Sequence, residues 1–377
     1  MKLENDKLHA GMTVALLALV LLVFTVADLV KADRLFSETE NRILAQRPKW
    51  SLEKVLSGSY EEEYEAYDTD QFVSRDTWVM LKTRMDILLQ KKLINGVYLA
   101  QDGYLIEQHL PEDYDQILVN KRLGKLMELT ERYPQTMVML APTADNILVD
   151  KLPDYAVSFD QRGLLAQVKE DIGEEHVIDL FPILEEHREE QIYYKTDHHW
   201  TTLGAYYGYL QWAQAMGHPP RYYDPQGLET VSDNFLGTLH SRINLPMEAD
   251  KIQIFPRTAS RRVKVVYDFA KETTSYYEPS YLEGKNQYGY FLDDNHAFIE
   301  IDTPFVVEGR ELFLIKDSYA NSLIPILVPH YEKIYVLDLR YYNGSLFPFM
   351  EQYVNSDKVD VLVLYNCIHF LENFSFY

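Results

Sequence analysis

A chain of 377 residues with 47% hydrophobic side chains can bury one large core or two modest ones, which excludes a disordered chain. Its formal net charge of −22 argues against a nucleic-acid backbone or an anionic membrane surface as the partner and favours a neutral or cationic ligand. The single cysteine, Cys367, excludes an internal disulfide framework and any multi-thiolate metal site, and its apolar surroundings read as those of a small core residue.

Residues 1–31 are a different material from the rest. The stretch from Ala10 to Ala27 (AGMTVALLALVLLVFTVA) carries no charge, and at about 1.5 Å per residue it nearly crosses a ~30 Å hydrocarbon core. It is either a single-pass anchor or a cleavable signal segment. Thr25-Val26-Ala27 matches a small-x-small cleavage site poorly, which favours the uncleaved anchor. Lys2 and Lys7 precede it but are diluted by Glu4 and Asp6, so the positive-inside rule bears only weakly on orientation. Everything able to fold follows this segment, which predicts a cell-membrane protein whose globular body is extracytoplasmic.

Residues 32–110 form a charged, aromatic N-terminal section with two predicted helices. In the second, Trp78, Leu81, Met85, Leu88 and Leu89 recur at three- and four-residue steps and make one apolar face. Asn95-Gly96-Val97-Tyr98 and Asp102-Gly103-Tyr104 then punctuate a hairpin-like element.

From residue 111 to 377 helices and buried strands take turns. A helix at 115–132 leads to the strand 137–141, and a helix at 161–172 to the strand 176–180. The C-terminal third repeats the alternation with strands at 311–315, 333–338 and 359–365 and helices at 319–328 and 346–354. Continuous apolar strands separated by helices predict an α/β fold with a parallel sheet covered on both faces. The Tyr-rich stretch at about 220–300, with one β-like run from Arg262 to Tyr267, reads as an insertion.

Three peptides carry groups suited to chemistry. In Asp197-His198-His199-Trp200, at the mouth of a helix running to about Met216, a carboxylate two residues from an imidazole can fix its tautomer, and the helix dipole keeps the ring neutral and basic. A capping aspartate with packed histidines is the competing structural role. In Lys316-Asp317-Ser318-Tyr319, a buried strand gives way to a helix, the point in a parallel sheet where ligands bind, so Ser318 is either a nucleophile or a helix cap. In Asp293-Asp294-Asn295-His296, Asn295 is either an oxyanion donor or a turn former.

These peptides resemble the DHHW family of bacterial membrane-anchored proteins, whose tetrad is Asp197 to Trp200 here. The resemblance extends to Glu40-Asn41-Arg42, Asp70-Gln71-Phe72 with Arg75-Asp76, Asn95-Gly96-Val97-Tyr98, Ala141-Pro142-Thr143, Phe235-Leu236-Gly237-Thr238, Asn295-His296 and Lys316-Asp317-Ser318-Tyr319. That family is similar to the SGNH-hydrolase-like proteins of alginate O-acetylation. The resemblance implies a three-layer α/β/α fold, Ser318 as nucleophile, His199 as base and Asp197 as its orienter, with His198, Trp200 and Asp317 supporting them. It implies acetyl transfer to an exported carbohydrate polymer, the acetyl arriving through a multi-spanning membrane acyltransferase, with no cofactor. Two departures stand out: Asp293-Asp294 where glycines are usual before Asn295, and Lys316 where a glycine usually precedes Asp-Ser.

Two other classes fit parts of the pattern. Asp197, His198 and His199 offer ligands for a metal-dependent hydrolase, although adjacent histidines in one turn seldom reach one ion. A hydrolase-like scaffold can also serve as a non-catalytic polysaccharide-binding or assembly protein.

Overall fold

The protein is described here by a computed structural model covering residues 2–37, 42–259, 262–306 and 309–376. Glu40 and Asn41 of the N-terminal signature lie outside the described residues. Two units are formed, Met1–Gln90 with Ile243–Leu245, and Lys91–Arg242 with Pro246–Tyr377.

The first unit begins with α1 (Lys2–Val30), long and apolar enough over His9–Asp28 to cross a membrane, which makes it a candidate anchor or signal sequence. An antiparallel pair of β1 (Phe36–Ser37) and β2 (Arg42–Ile43) follows, then α2 (Leu52–Ser57), α3 (Ser59–Gln71) and α4 (Arg75–Leu88). Asp70 and Gln71 are the buried side chains of α3, and they explain why this dipeptide is polar. The Gln71 amide donates to the carbonyls of Arg34 and Ala45 and accepts from the Arg34 N–H, while Asp70 accepts from the Ala45 N–H at 2.8 Å. Backbone groups that no sheet satisfies are thereby paired. The apolar face expected on α4 is present but turned outward, and the helix buries Thr83 and Asp86 instead.

The second unit opens with an antiparallel sheet of β3 (Leu93–Ile94), β4 (Val97–Leu99) and β5 (Leu105–Glu107). Asn95 and Gly96 both take positive φ, 51° and 71°, as a two-residue hairpin turn requires. Then come α5 (Gln116–Arg132), β6 (Thr136–Ala141), α6 (Ala144–Ile147), α7 (Gln161–Ile172), α8 (Phe181–Glu186) and α9 (Thr202–Ala215). A hairpin of β7 (Glu229–Phe235) and β8 (Asp250–Ile254) encloses α10 (Thr238–Ile243) and is followed by α11 (Pro256–Ala259), β9 (Lys264–Tyr267), β10 (Lys271–Thr273) and β11 (Phe298–Asp302). The chain closes with β12 (Glu311–Lys316), α12 (Ala320–Leu327), β13 (Lys333–Leu337), α13 (Leu346–Tyr353), β14 (Val359–Asn366) and α14 (Cys367–Asn373).

Seven strands form the main sheet in the order β10-β9-β11-β13-β12-β14-β6. The expectation of a parallel sheet holds for β13, β12, β14 and β6 and fails for the rest: β11 runs antiparallel to β13 and to β9, and β9 to β10. Burial separates the two kinds. Every residue of β14 is buried, whereas β9 alternates and β10 is largely exposed. Alternation marks a sheet with one wet face, continuous burial a strand covered on both. The stretch at 220–300 therefore supplies edge strands of the main sheet as well as the separate β7–β8 hairpin. The strand expected at 176–180 is reduced to a bridge between Val177 and Val138, because a 3₁₀ turn at Glu174–His176 and α8 leave it no length. Cys367 is fully buried, as a core residue.

Candidate active site

β12 sits between β13 and β14 and delivers its C-terminal end to the middle of the sheet edge where ligands bind in such folds. The turn that follows is braced by Asp317. One of its oxygens accepts from the Tyr319 N–H at 2.9 Å, and the other from the Asn366 N–H and amide at 3.0 Å and from His369 Nδ1 at 2.9 Å. Burial would raise the Asp317 carboxyl, but the donors, His369 foremost, hold it below the usual range. Ser318 therefore stands on a fixed turn, and it does not cap α12: Tyr319 occupies that position, without a side-chain cap bond.

The DHHW segment reaches the same place from the other side. Tyr193 and Trp200 pair across its base, the Tyr194 N–H donates to the His199 carbonyl, and Thr201 caps α9 through its hydroxyl. With Thr201 as cap, Asp197 is free for another partner. Asp250 of β8 holds the loop, accepting from the N–H groups of Lys195 and Thr196 and from the Thr196 hydroxyl. Trp200, fully buried, donates its indole N–H to the Tyr319 carbonyl at 2.8 Å and so ties the loop to the serine turn.

The outcome is a continuous chain of hydrogen bonds. His199 Nδ1 lies 2.6 Å from Asp197 Oδ1, and His199 Nε2 lies 2.8 Å from Ser318 Oγ. The other Asp197 oxygen accepts from the Thr238 N–H and hydroxyl at 2.8 and 3.0 Å. Burial would raise the Asp197 carboxyl, yet the facing imidazoles and these donors hold it well below the ordinary range. An ionised Asp197 requires the proton on Nδ1, which leaves the Nε2 lone pair facing the serine hydroxyl. The His199 ring is stacked on Tyr288, centroids 3.8 Å apart, and packs against His198 at 3.9 Å on another side. Such an arrangement can draw a proton from Ser318 without moving a heavy atom.

His198 takes a different course. Its Nδ1 bonds the Thr238 hydroxyl at 2.8 Å, and although 24% of its side chain is exposed, desolvation and the neighbouring His199 push it down to about 4. Of the two histidines, His199 is the one on the serine. Asp197, His198 and His199 do offer ligand atoms within 4.8 Å of one another, but both His199 nitrogens, both Asp197 oxygens and His198 Nδ1 are already committed to the hydrogen bonds above.

Asn295 is fixed in an unexpected way. Its Oδ1 accepts from Lys316 Nζ at 3.2 Å, Arg340 Nη2 at 3.1 Å and Asn321 Nδ2 at 3.4 Å, and three donors on one atom assign that atom as the oxygen. Its amide donates to Asp294 Oδ1 at 2.9 Å. Lys316 is wholly buried, paired with Asp338 at 3.2 Å, and burial pushes its ammonium below the ordinary value. The side chain that replaces the expected glycine is thus an internal brace. Leu292, Asp293 and Asp294 all have positive φ, 61°, 56° and 70°, the conformation the missing glycines would adopt without strain.

Several positions escaped the sequence. Tyr288, Asp250, His369, Asp338 and Arg340 reach the site through space from distant elements and carry no local signal. Gly237 had one, within the Phe235-Leu236-Gly237-Thr238 match: a methyl group there would overlap the Asp197 side chain. A cavity of about 270 Å³ adjoins the loop, with Glu107, His109, Asp145, His198, His369 and Glu372 in its wall. Burial opposes a charge on His109, but Asp145 at 3.2 Å and Glu107 at 3.8 Å raise it to about 10.

A DHHW protein family model matches residues 98–337, more than half of the chain. Among curated proteins no sequence matches it. Among solved structures, the chain is similar to a DHHW family protein from Eubacterium siraeum, at 24% identity and a TM-score of 0.58 over 74% of this chain and 92% of that one. It is similar also to Bacillus cereus PatB1 carrying a sulfonyl adduct, at 17% identity and a TM-score of 0.57 over 74% of this chain and 97% of that one. The O-acetyltransferase domain of Pseudomonas putida AlgJ aligns at 16% identity and a TM-score of 0.44 over 73% of this chain and 92% of that one. The first two likenesses extend across nearly the whole of the compared chains and bear on the fold.

Proposed function

The chain belongs to the DHHW family, and from that premise we propose that it is a serine-type O-acetyltransferase or acetylesterase acting outside the cytoplasm on a cell-surface or secreted polysaccharide. The observation that carries this reading is His199 held between Asp197 and Ser318 at 2.6 and 2.8 Å. Ser318 Oγ attacks the ester carbonyl as its proton passes to His199 Nε2, forming a tetrahedral oxyanion. The departing alkoxide takes that proton and leaves an acetyl-serine. An acceptor hydroxyl then gives its proton to Nε2 and attacks the acetyl carbon, and Ser318 Oγ is reprotonated as it leaves. With a sugar hydroxyl as acceptor the result is transfer, with water hydrolysis. Of the amides in the 317–320 turn, the Ser318 N–H is the one without an acceptor among the described residues, and it is the oxyanion donor in this scheme, with the braced Asn295 a candidate second donor.

The adjoining cavity, which Asp197 and His198 of the loop line, is the candidate acceptor site; its volume is just under the ~300 Å³ at which drug-sized pockets begin and suits a single sugar ring. Among the described residues no lysine or arginine lines it, so it favours a neutral or amine-bearing sugar over a uronate. The acetyl group comes from a multi-spanning membrane acyltransferase beside the N-terminal anchor.

Hydrolysis of an aryl acetate by single variants tests the scheme. Ser318→Ala and His199→Ala should each lower kcat/KM by about 10⁴-fold or more, and Asp197→Ala by less, with near-ultraviolet circular dichroism showing all three folded. Asp197→Ala alone should also lower the unfolding midpoint, because it removes the acceptor of the Thr238 and His199 donors. Equal activity in all three would remove the triad and leave the scaffold as a polysaccharide-binding protein.

A further inference from the structure

In α4 the ordinary arrangement of an amphipathic helix is reversed. At about 100° per residue, Trp78, Leu81, Met85, Leu88 and the cap residue Leu89 fall within one arc of roughly 100°. Packing would normally turn such an arc inward. Here those side chains are 44, 47, 50, 74 and 68% exposed, while the residues that the helix buries are the polar Thr83 and Asp86. A contiguous apolar stripe of this kind marks an interaction surface.

Phe24 identifies what covers it. This ring belongs to the apolar stretch His9–Asp28 and stacks on Phe72 at 6.1 Å and packs on Trp78 at 5.7 Å. Phe24 is four residues from the end of that stretch, or about 6 Å along the axis, which is the depth of the boundary between headgroups and acyl chains. The stripe of α4 therefore begins at the point where the candidate span meets the membrane surface. Its first residue is a tryptophan, the side chain enriched at that boundary, and Lys82 and Arg84 lie beside it as interfacial anchors do. The contacts of Phe24 also argue that the segment is retained, since a cut after Ala27 would strip the cover from Phe72 and Trp78.

We propose that the face of α4 bearing Trp78, Leu81, Met85, Leu88 and Leu89 lies in the lipid interface of the membrane that the N-terminal helix enters, making the first unit a two-point membrane mount. The attraction is apolar, so zwitterionic lipid suffices, which accommodates the net charge of −22. The inference does not depend on the acyl-transfer reading.

The test uses the full chain with Trp50→Phe, reconstituted at low density in phosphatidylcholine vesicles, with and without lipid brominated near the headgroup end of its acyl chains. Trp200 and Trp212 are fully buried, so Trp78 is the indole within reach of bromine. Brominated lipid should quench part of the emission, Trp78→Phe should remove that quenched part, and Leu81→Asp with Leu88→Asp should diminish it while Trp78 is present. Unquenched Trp78 emission in protein that remains bound to the vesicles overturns the proposal. So does disulfide formation between Met85→Cys chains under the same dilution, which would give the stripe to a second copy.

Discussion

Asp197 is placed by contacts on every side, and the tightest of them is with a residue that has no side chain. Gly237 lies against the Asp197 carboxylate, and the next residue, Thr238, donates to it twice. A methyl at position 237 has to displace either the carboxylate or α10. Gly237→Ala should therefore lower aryl-acetate turnover by about 10²-fold, the scale of an ångström of misplacement, with kcat rather than KM carrying the change. Steady-state kinetics checks this, and wild-type turnover in Gly237→Ala would show that Asp197 tolerates movement. At this scale the sequence displayed Asp197, His199 and Ser318 openly, since each stands in a polar peptide at an element boundary. The choice between His198 and His199 was not legible, because it depends on which ring the Thr238 hydroxyl captures.

At the scale of elements, local periodicity located α7, β12, β13, α13 and β14 to within a residue or two, because continuous apolar strands and short amphipathic helices leave few alternative readings. It failed where pairing partners decide. β9 and β11 are short and alternate, and nothing local says that they join the main sheet antiparallel. The left-handed run Leu292 to Asp294 is a third case: its sequence lacks glycine, and its conformation is imposed by Lys271 on Asp293, by Asn286 on Asp294 and by the Asn321 amide on the Asp294 carbonyl. Both Asp294→Ala and Asp294→Gly lose the carboxylate, so their difference isolates the backbone. The alanine variant should be less stable by about 1 kcal/mol, read from denaturant midpoints at equal slope, and an alanine variant as stable as the glycine one would mean that the run is unstrained.

For the molecule as a whole, pH should act through buried carboxylates. Asp197, Asp317, Asp338 and Asp360 have folded values below the ordinary 3.8, and Glu107 is held at about 2 against 4.5, its desolvation outweighed by His109, His198 and Arg242. A folded value lower than the unfolded one contributes stability that is present above the unfolded pKa and lost as pH falls through the folded one. His198, held at about 4 against 6.5, acts in the same sense, so the second unit should lose stability progressively from about pH 6.5 towards pH 2, seen as a falling thermal midpoint by near-ultraviolet circular dichroism. A midpoint unchanged across that window would mean that these carboxylates gain nothing from their partners.

The central claim is that Ser318 becomes acylated with His199 as its base. The direct measurement is intact mass after exposure of the full chain to an activated acetyl ester, for wild type, Ser318→Ala and His199→Ala. One acetyl adduct on the wild type, mapped to the peptide containing Ser318 and absent from both variants, is the result predicted. Wild-type protein that remains unlabelled, or a Ser318→Ala chain labelled to the same extent, would contradict it.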